Sequence, residues 1–529
     1  MLATLLSATL TGITGRPVRV EVDVAPGLPG FTIVGLPDAA LSEARERVRG
    51  ALRNAGYHHP PRRITVNLAP ADLRKAGASL DLAIAIGILL GSEQLRAAPG
   101  RVALVGELGL GGEVRPVPGI LPMAMALGAA GVRRIMVPAA AAAEAGLVPN
   151  LEVVGVATVA EAAEAVRARR SRRRVPVPLP RADGLASGDG GAAEERAPGT
   201  AREAPGGEPA VDLADVRGQA VARRALEIAL AGGHAMLLIG PPGAGKTLLA
   251  RTIPGLLPDL DDAAALAATV VTSVAGGGPV RELVRRPPVR APHHTVSYAG
   301  MVGGGPRMSP GEVTLAHHGV LVADELPEFG RDVLEALRQP LEEGSVAVVR
   351  VGRAAVFPAR FTLVAAMNPC PCGMDGAADR SCSCPPGVPQ RYRRRISGPL
   401  RDRIDLWVRV DRVPPALLLG GPVPEGSRAV AARIAAAREQ ARARSGEVPN
   451  GRIRGRELRA ACRLSPSAAG RAVVLAEREG LSGRGTERLL RVARTIADLE
   501  GAEAVSEAHL DEAARFRAPA ELPSLAEAG

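Results

Sequence analysis

The run Gly240-Pro241-Pro242-Gly243-Ala244-Gly245-Lys246-Thr247 has the residue types and spacing of a phosphate-binding loop. Its glycines let successive backbone N–H groups turn inward around phosphate oxygens, and the threonine hydroxyl suits Mg²⁺. Of the 66 basic residues only two, Lys75 and Lys246, are lysines. A chain that uses arginine almost everywhere keeps a compact, mobile ammonium at the loop's end, where a planar guanidinium is no substitute. The chemistry implied is binding and cleavage of ATP with Mg²⁺.

Further groups suit the same chemistry. Gly319-Val320-Leu321-Val322-Ala323-Asp324-Glu325 is an apolar strand ending in two carboxylates. Asp324 is placed to hold Mg²⁺ and Glu325 to polarise an attacking water. Phe361–Met367 is a second apolar strand ending at Asn368, which would sit between the carboxylates and the terminal phosphate; an Asn-Pro turn is the plainer reading of Asn368-Pro369. Arg403, flanked by Asp402 and Asp405, reads either as a finger reaching a neighbouring subunit's phosphate or as a partner of those acids. Arg484 opens a helix at Leu481-Ser482-Gly483 and could close on nucleotide in its own subunit; Arg488 and Arg491, one and two turns on, compete for the role.

Four of the five cysteines cluster as Cys370-Pro371-Cys372 and Cys382-Ser383-Cys384. Four thiolates in a short loop fit tetrahedral Zn²⁺, though C-x-C is tighter than the usual spacing and unligated thiols are the alternative. Lying between Asn368 and Arg403, such a site would clip the sensor strand to the trans-acting arginine. Cys462 stands apart on a helix and reads as core.

The elements that must position these groups fall into regions of different composition. Residues 1–170 mix strands (Val18–Val24 alternates strictly; Ile64–Leu68 and Val102–Val105 are further runs) with helices at Ala39–Ala55 and Leu80–Leu90. Residues 171–210, rich in Pro, Gly, Ala, Arg and Glu, read as a solvated linker. Residues 211–413 return to an α/β pattern around the phosphate loop. Residues 414–529 read as helices, including Arg428–Arg444 and Ser482–Glu500. The fold class is a multidomain α/β protein with an α/β nucleotide-binding core and a helical C-terminal lid. No apolar run is long enough to span a bilayer, and a cytoplasmic protein is expected. The net charge of +11 suits a polyanionic partner, although an arginine-rich composition can arise from coding bias alone. Aromatics make up 2% of the chain, which argues against base stacking, so any nucleic-acid contact should run from arginine to phosphate without sequence preference.

Longer stretches carry a resemblance. Arg290-Ala291-Pro292-His293-His294-Thr295, Val302-Gly303-Gly304-Gly305, Pro310-Gly311-Glu312, Asp324-Glu325-Leu326-Pro327-Glu328-Phe329, Arg338-Gln339-Pro340-Leu341-Glu342, Asn368-Pro369-Cys370-Pro371-Cys372-Gly373 and Arg491–Leu499 resemble the YifB/ComM family of magnesium-chelatase-like AAA+ ATPases. The likeness covers nearly all of the chain but the linker. It departs at Val322-Ala323, where the family has bulkier residues, and at Arg401, where it usually has leucine. The resemblance implies a homo-oligomeric ring, a hexamer in this family, with ATP at subunit interfaces. It also implies a DNA motor: a branch-migration helicase on single-stranded or branched recombination intermediates during natural transformation. The alternating run Gly344–Phe357 reads as a hairpin that could enter a ring pore with Arg350 and Arg353 on phosphates, or as an ordinary solvated hairpin. His293 and His294 could meet nucleotide, DNA or a neighbour, or simply pack.

Residues 1–170 resemble a Lon-protease-like α+β domain. Ser79, in Arg74–Leu82, falls on the nucleophile position, but the position of the activating lysine is Leu121. The resemblance therefore implies a proteolytically inactive domain. A competing function from another class is a chelatase-type ATPase that remodels a protein partner for metal insertion; the nucleotide core alone does not separate it from a DNA motor.

Overall fold

The computed structural model describes residues 1–167 and 211–517, apart from 39–40, 42, 76, 97–101, 279, 306–307, 351–352 and 377–379. The proposed linker at 171–210 lies outside the described residues. The described residues divide into two units: residues 1–167 with Leu266–Val284 and Arg353–Ala355, and the remainder. The stretch Leu266–Val284, which lies within the 211–413 region by sequence, thus clusters with the N-terminal unit.

The N-terminal unit is built on a mixed seven-stranded sheet. Its order is Gly30–Val34, Arg63–Ala69, Thr14–Ala25, Leu2–Thr11, Val102–Leu104, Arg134–Pro138, Glu152–Val156. The alternation in Val18–Val24 has the expected result: Val18, Val20, Val22 and Val24 are all buried on one face. The helix Asp81–Gly91 is apolar almost all round and almost wholly buried, as such a helix must be. It approaches the sheet closely at Gly87, where a Cβ would come within 2.5 Å of Val22. The helix expected over Ala39–Ala55 is described from Ala44 to Asn54.

The second unit contains a parallel five-stranded sheet in the order Val289–Arg290, Val320–Ala323, Thr362–Met367, Met236–Ile239, Leu406–Arg409. Strands buried on both faces read as continuous apolar runs rather than alternating ones, and Met236–Ile239, Val320–Ala323 and Thr362–Met367 are such runs. Register decides the chemistry. Ile239 pairs with Met367, and Ala323 with Ala365. The central strand Thr362–Met367 therefore delivers Asn368 between the loop that begins at Gly240 and the carboxylates that begin at Asp324. The C-terminal edge of a parallel sheet is where such folds bind ligands.

The C-terminal helices Ser427–Ser445, Gly455–Cys462, Pro466–Arg478, Gly483–Leu499 and Glu507–Ala514 share one apolar cluster with this sheet and with the helix Ala220–Gly232. Serine side chains at 465, 482 and 506 cap three of them. Leu226, Ile434, Ala493 and Ile496 are fully buried in that cluster. A buried polar network runs beside them. Arg494, fully buried, pairs with Asp498 at 2.9 Å, and Arg444 forks onto both Asp498 oxygens at 2.7 Å. Cys462 is core, as expected, its thiol turned to Leu490 O at 3.7 Å. Among the described residues no helix is long and apolar enough to cross a membrane.

Candidate active site

The loop Gly240–Gly245 links the strand Met236–Ile239 to the helix Lys246–Arg251. Gly243 and Gly245 adopt φ of +77° and +93°, open to glycine at no steric cost, and a Cβ on either would meet nothing within 4 Å. The loop is a cradle with room in it. Gln219 braces it from below, donating to Ala244 O at 3.0 Å and Asp411 O at 2.7 Å.

Lys246 is buried, with 8% of its surface exposed. Its Nζ donates to Gly240 O at 2.7 Å, Pro241 O at 2.9 Å and Asn368 Oδ1 at 3.1 Å. All three partners are uncharged. Burial lowers the ammonium pKa to about 8, against the opposing pull of Asp324 and Glu325. A desolvated cation with neutral partners beside an open cradle suits an incoming polyphosphate. Thr247 Oγ donates to Asp324 Oδ2 at 2.7 Å, so a hydroxyl and a carboxylate meet where a hard, oxygen-seeking cation would be held. These residues fit ATP and Mg²⁺. Gly240–Thr247 would hold the phosphates, and Thr247 and Asp324 would hold the metal.

Glu325 is exposed, in the left-handed region at φ +53°, an uncommon conformation for a glutamate. Its Oε2 lies 3.3 Å from Nδ1 of His294. His293 stacks on His294 with ring centroids 4.1 Å apart, and Nδ1 of His293 is 2.9 Å from Thr295 Oγ. The loop that carries them is anchored three residues earlier, where Arg290 forks onto Glu312 with two bonds of 2.8 Å. Sequence reasoning left His294 among several readings. The local spacing does not reveal which distant carboxylate it meets; the fold supplies that pairing.

The two remaining candidates lie elsewhere. Arg403 and Arg484 line a separate cavity of about 140 Å³, together with Glu342, Arg454 and Glu487, and no residue of the phosphate loop lines it. Arg484 thus lies beside Arg403 and away from the phosphate loop. The alternative reading of Arg403, an ion pair with Asp402 or Asp405, is not what forms. Arg403 bonds Glu342 and Pro399 O, while Asp402 and Asp405 face Arg488 at 3.6 Å and Arg491 at 3.5 Å. Arg488 and Arg491 are thereby tied into the structure: Arg488 donates to Asp402 O at 2.7 Å and Arg491 to Gly451 O at 3.0 Å. Asp405 is buried, which alone would raise its pKa, but Arg491 and then His234 hold it below the usual carboxylate range. Arg401 lies over the ring of Trp407, 5.7 Å from its centroid, so of Arg401 and Arg403 it is Arg403 that lines the cavity.

The hairpin over Gly344–Phe357 forms as a two-stranded sheet, Ser345–Arg350 with Arg353–Pro358. Arg350 and Val349 are exposed on it; the Arg353 side chain lies outside the described residues. In the N-terminal unit Ser79 Oγ donates to Ala8 O at 2.9 Å, Lys75 Nζ is buried against Pro70 O, and Leu121 is fully buried in the helix Ile120–Ala129.

Comparison with known proteins identifies the chain's relatives. Residues 212–418 match the family described as magnesium chelatase, subunit ChlI; residues 20–141 match subunit ChlI of Mg-chelatase; and residues 424–517 match the ChlI C-terminal family. The uncharacterized protein YifB of Escherichia coli K12 is 42% identical over 514 residues, covering 96% of this chain and 95% of the relative. The competence protein ComM of Haemophilus influenzae is 40% identical over 524 residues, covering 98% of each. An uncharacterized protein of Mycobacterium tuberculosis H37Rv is 42% identical over 504 residues, 94% of each chain.

Proposed function

The chain belongs to the YifB/ComM family of magnesium-chelatase-like AAA+ ATPases, and from that premise we propose that it is an ATP-driven motor that moves along DNA as a ring of identical subunits. One observation carries the reading. Lys246, Thr247, Asp324, Glu325 and Asn368 gather at one sheet edge, while Arg403 and Arg484 line a different cavity. The edge can bind and orient ATP, but Arg403 and Arg484 do not reach it within one chain. Arg403 supplies an arginine finger to the next subunit, and ring assembly completes each site.

Within a site the division of labour follows from position. The backbone of Gly240–Gly245 binds phosphates, and Lys246 exchanges its carbonyl partners for phosphate oxygens. Thr247 and Asp324 would hold Mg²⁺, which would supply positive charge to the phosphates. Glu325 draws the proton from the attacking water, and His294 holds the Glu325 carboxylate in place. Asn368, fixed by Lys246, orients that water.

DNA as the track rests on three supports: the full-length likeness to a competence protein, the net charge of +11, and the exposed Arg350 on the hairpin. The physiological reading is branch migration of recombination intermediates in the cytoplasm, hexameric as in the family. The N-terminal unit is a non-proteolytic, Lon-like domain, since Ser79 spends its hydroxyl proton on Ala8 O and the Leu121 position offers no amine. It serves assembly or substrate engagement.

The test is the ATPase rate against single-stranded, duplex and four-way-branched DNA at two salt concentrations. Strong, salt-sensitive stimulation, greatest with the branched form, is expected. No stimulation by any DNA would overturn the DNA reading in favour of a chelatase-type ATPase that remodels a protein partner.

A further inference from the structure

Cys370, Cys372, Cys382 and Cys384 come together although they lie in a loop with almost no core. Among the described residues from Pro371 to Gly387 only Gly373 is buried. Long loops without secondary structure are uncommon in compact domains and are usually functional where they are ordered. All four Sγ atoms lie within 4.8 Å of one another. Cys370 and Cys372 are 3.4 Å apart, Cys370 and Cys382 3.7 Å, and Cys372 and Cys382 3.6 Å. Sulfur atoms at the corners of a tetrahedron around zinc, each about 2.3 Å from the metal, are separated by roughly 3.8 Å. A disulfide would require about 2.05 Å. The Asp375 amide donates to Cys370 Sγ at 3.3 Å, the kind of outer contact that orients a metal thiolate. Cys462, by contrast, is buried apart from the other four, its thiol turned to Leu490 O.

The turn made by Cys370–Gly373 also touches the nucleotide site. It follows directly on Asn368 and Pro369, and Asn368 accepts from Lys246. Gly373 packs against the phosphate loop so closely that a Cβ there would lie 2.4 Å from Pro242 Cδ. Behind it, the buried Arg393 donates to Pro369 O at 3.3 Å and pairs with Asp375. The sequence-based expectation joined this loop to Arg403. The structure joins it to Pro242 and Asn368, in the same subunit's phosphate site.

We propose that the four thiolates bind one Zn²⁺ ion, and that the filled site fastens the Asn368 turn to Pro242 of the phosphate loop. The coupling to nucleotide rests on the function proposed above; the metal site itself does not. Without the metal the loop has no core to hold it, so Asn368 and Pro242 lose their common brace. The thiols give up their protons on binding, so affinity for the metal falls with acid.

The experiment uses full-length protein purified without added metal. Elemental analysis should find one zinc per chain, released by titration with an organomercurial thiol reagent and detected with a chromogenic zinc indicator. Cys462→Ser should retain the metal, and the Cys382→Ser/Cys384→Ser double variant should lose it. If the double variant does not fold, cobalt exchange into the wild type decides instead. Intense thiolate-to-cobalt charge transfer with tetrahedral visible bands is expected, and its absence together with substoichiometric zinc would overturn the site. Equilibrium binding of a fluorescent ATP analogue reads the coupling. Metal-stripped protein should bind about tenfold more weakly, with recovery on adding zinc back. Equal binding with and without zinc would refute the brace and leave the metal site standing. Zinc-loaded protein that binds no nucleotide would refute the proposed function, not the metal site.

Discussion

Nδ1 of His294 lies 3.3 Å from Oε2 of Glu325, joining a loop anchored by Arg290 and Glu312 to the carboxylate at the end of the strand Val320–Ala323. A glutamate that must present one oxygen to water gains from having the other held. His294→Ala should therefore lower kcat for ATP about 10- to 100-fold and leave KM nearly unchanged, since no phosphate contact is lost. Steady-state kinetics with DNA present measures the split. A rise in KM with unchanged kcat would place His294 on the nucleotide instead.

Glu325→Gln keeps the shape of the site and removes the base. We expect ATP to bind with close to wild-type affinity and to turn over at least about 100-fold more slowly. Lys246→Ala should abolish binding, because it removes the buried cation that faces the cradle. Comparing equilibrium nucleotide binding with single-turnover hydrolysis in the two variants separates the roles. Wild-type turnover in Glu325→Gln would show that another group activates the water.

Much of this site is legible in the sequence, for a physical reason. Gly240–Thr247, Asp324–Glu325 and Asn368 each sit at the end of an apolar run, and in a parallel sheet every such end faces the same edge. Linear order and strand type were enough to bring them together. The arginines were less legible. Whether Arg403 faces Asp402, Asp405 or Glu342 depends on how the turn after Pro399 packs against a helix some 60 residues away in sequence, and charge spacing does not encode that. The same holds for His294 and for the contact of Gly373 with Pro242. Pairings across elements belong to the packed fold rather than to a local pattern.

The C-terminal helices offer a stability test. Asp498 accepts from Arg444, Arg494 and Asn450 while almost fully buried. Asp498→Ala would leave two guanidinium groups without a counter-charge, at a cost of about 3–5 kcal/mol. Urea unfolding followed by circular dichroism should show the midpoint falling sharply. A change under about 0.5 kcal/mol would mean that water enters and replaces the carboxylate.

His317 provides a pH test. Burial, then His318, Arg360 and Arg452, lowers its pKa to about 3, and its Nδ1 accepts from the Arg360 amide at 3.1 Å. The ring is therefore neutral when folded and titrates near 6.5 when unfolded. In the window between these values the unfolded chain binds the extra proton, so stability falls as pH drops from about 6.5 toward 3. His317→Asn keeps an acceptor for the amide and does not titrate. The variant should lose part of the acid dependence of the melting temperature while staying near wild type at neutral pH. Parallel acid profiles for the two proteins would show that His317 is not responsible.

Arg403 bonds Glu342 in the isolated chain, in a cavity that the phosphate loop does not line. If it serves the neighbouring site, Arg403→Ala alone should be at least about 10³-fold slower, the scale on which arginine fingers act. Lys246→Ala alone is inactive for a different reason. In an equimolar mixture of the two, an interface is complete when an Arg403→Ala subunit offers its intact phosphate loop to the arginine of a Lys246→Ala subunit. Random assembly makes about one interface in four of this kind, so an active pair should emerge from two dead proteins. A role for Arg403 within its own subunit predicts none, because every chain then lacks one essential group. ATPase activity as a function of mixing ratio, peaking near equal amounts, distinguishes the two. Arg484→Ala tested the same way against Lys246→Ala asks whether the second arginine of the cavity also acts across the interface, as its place beside Arg403 predicts.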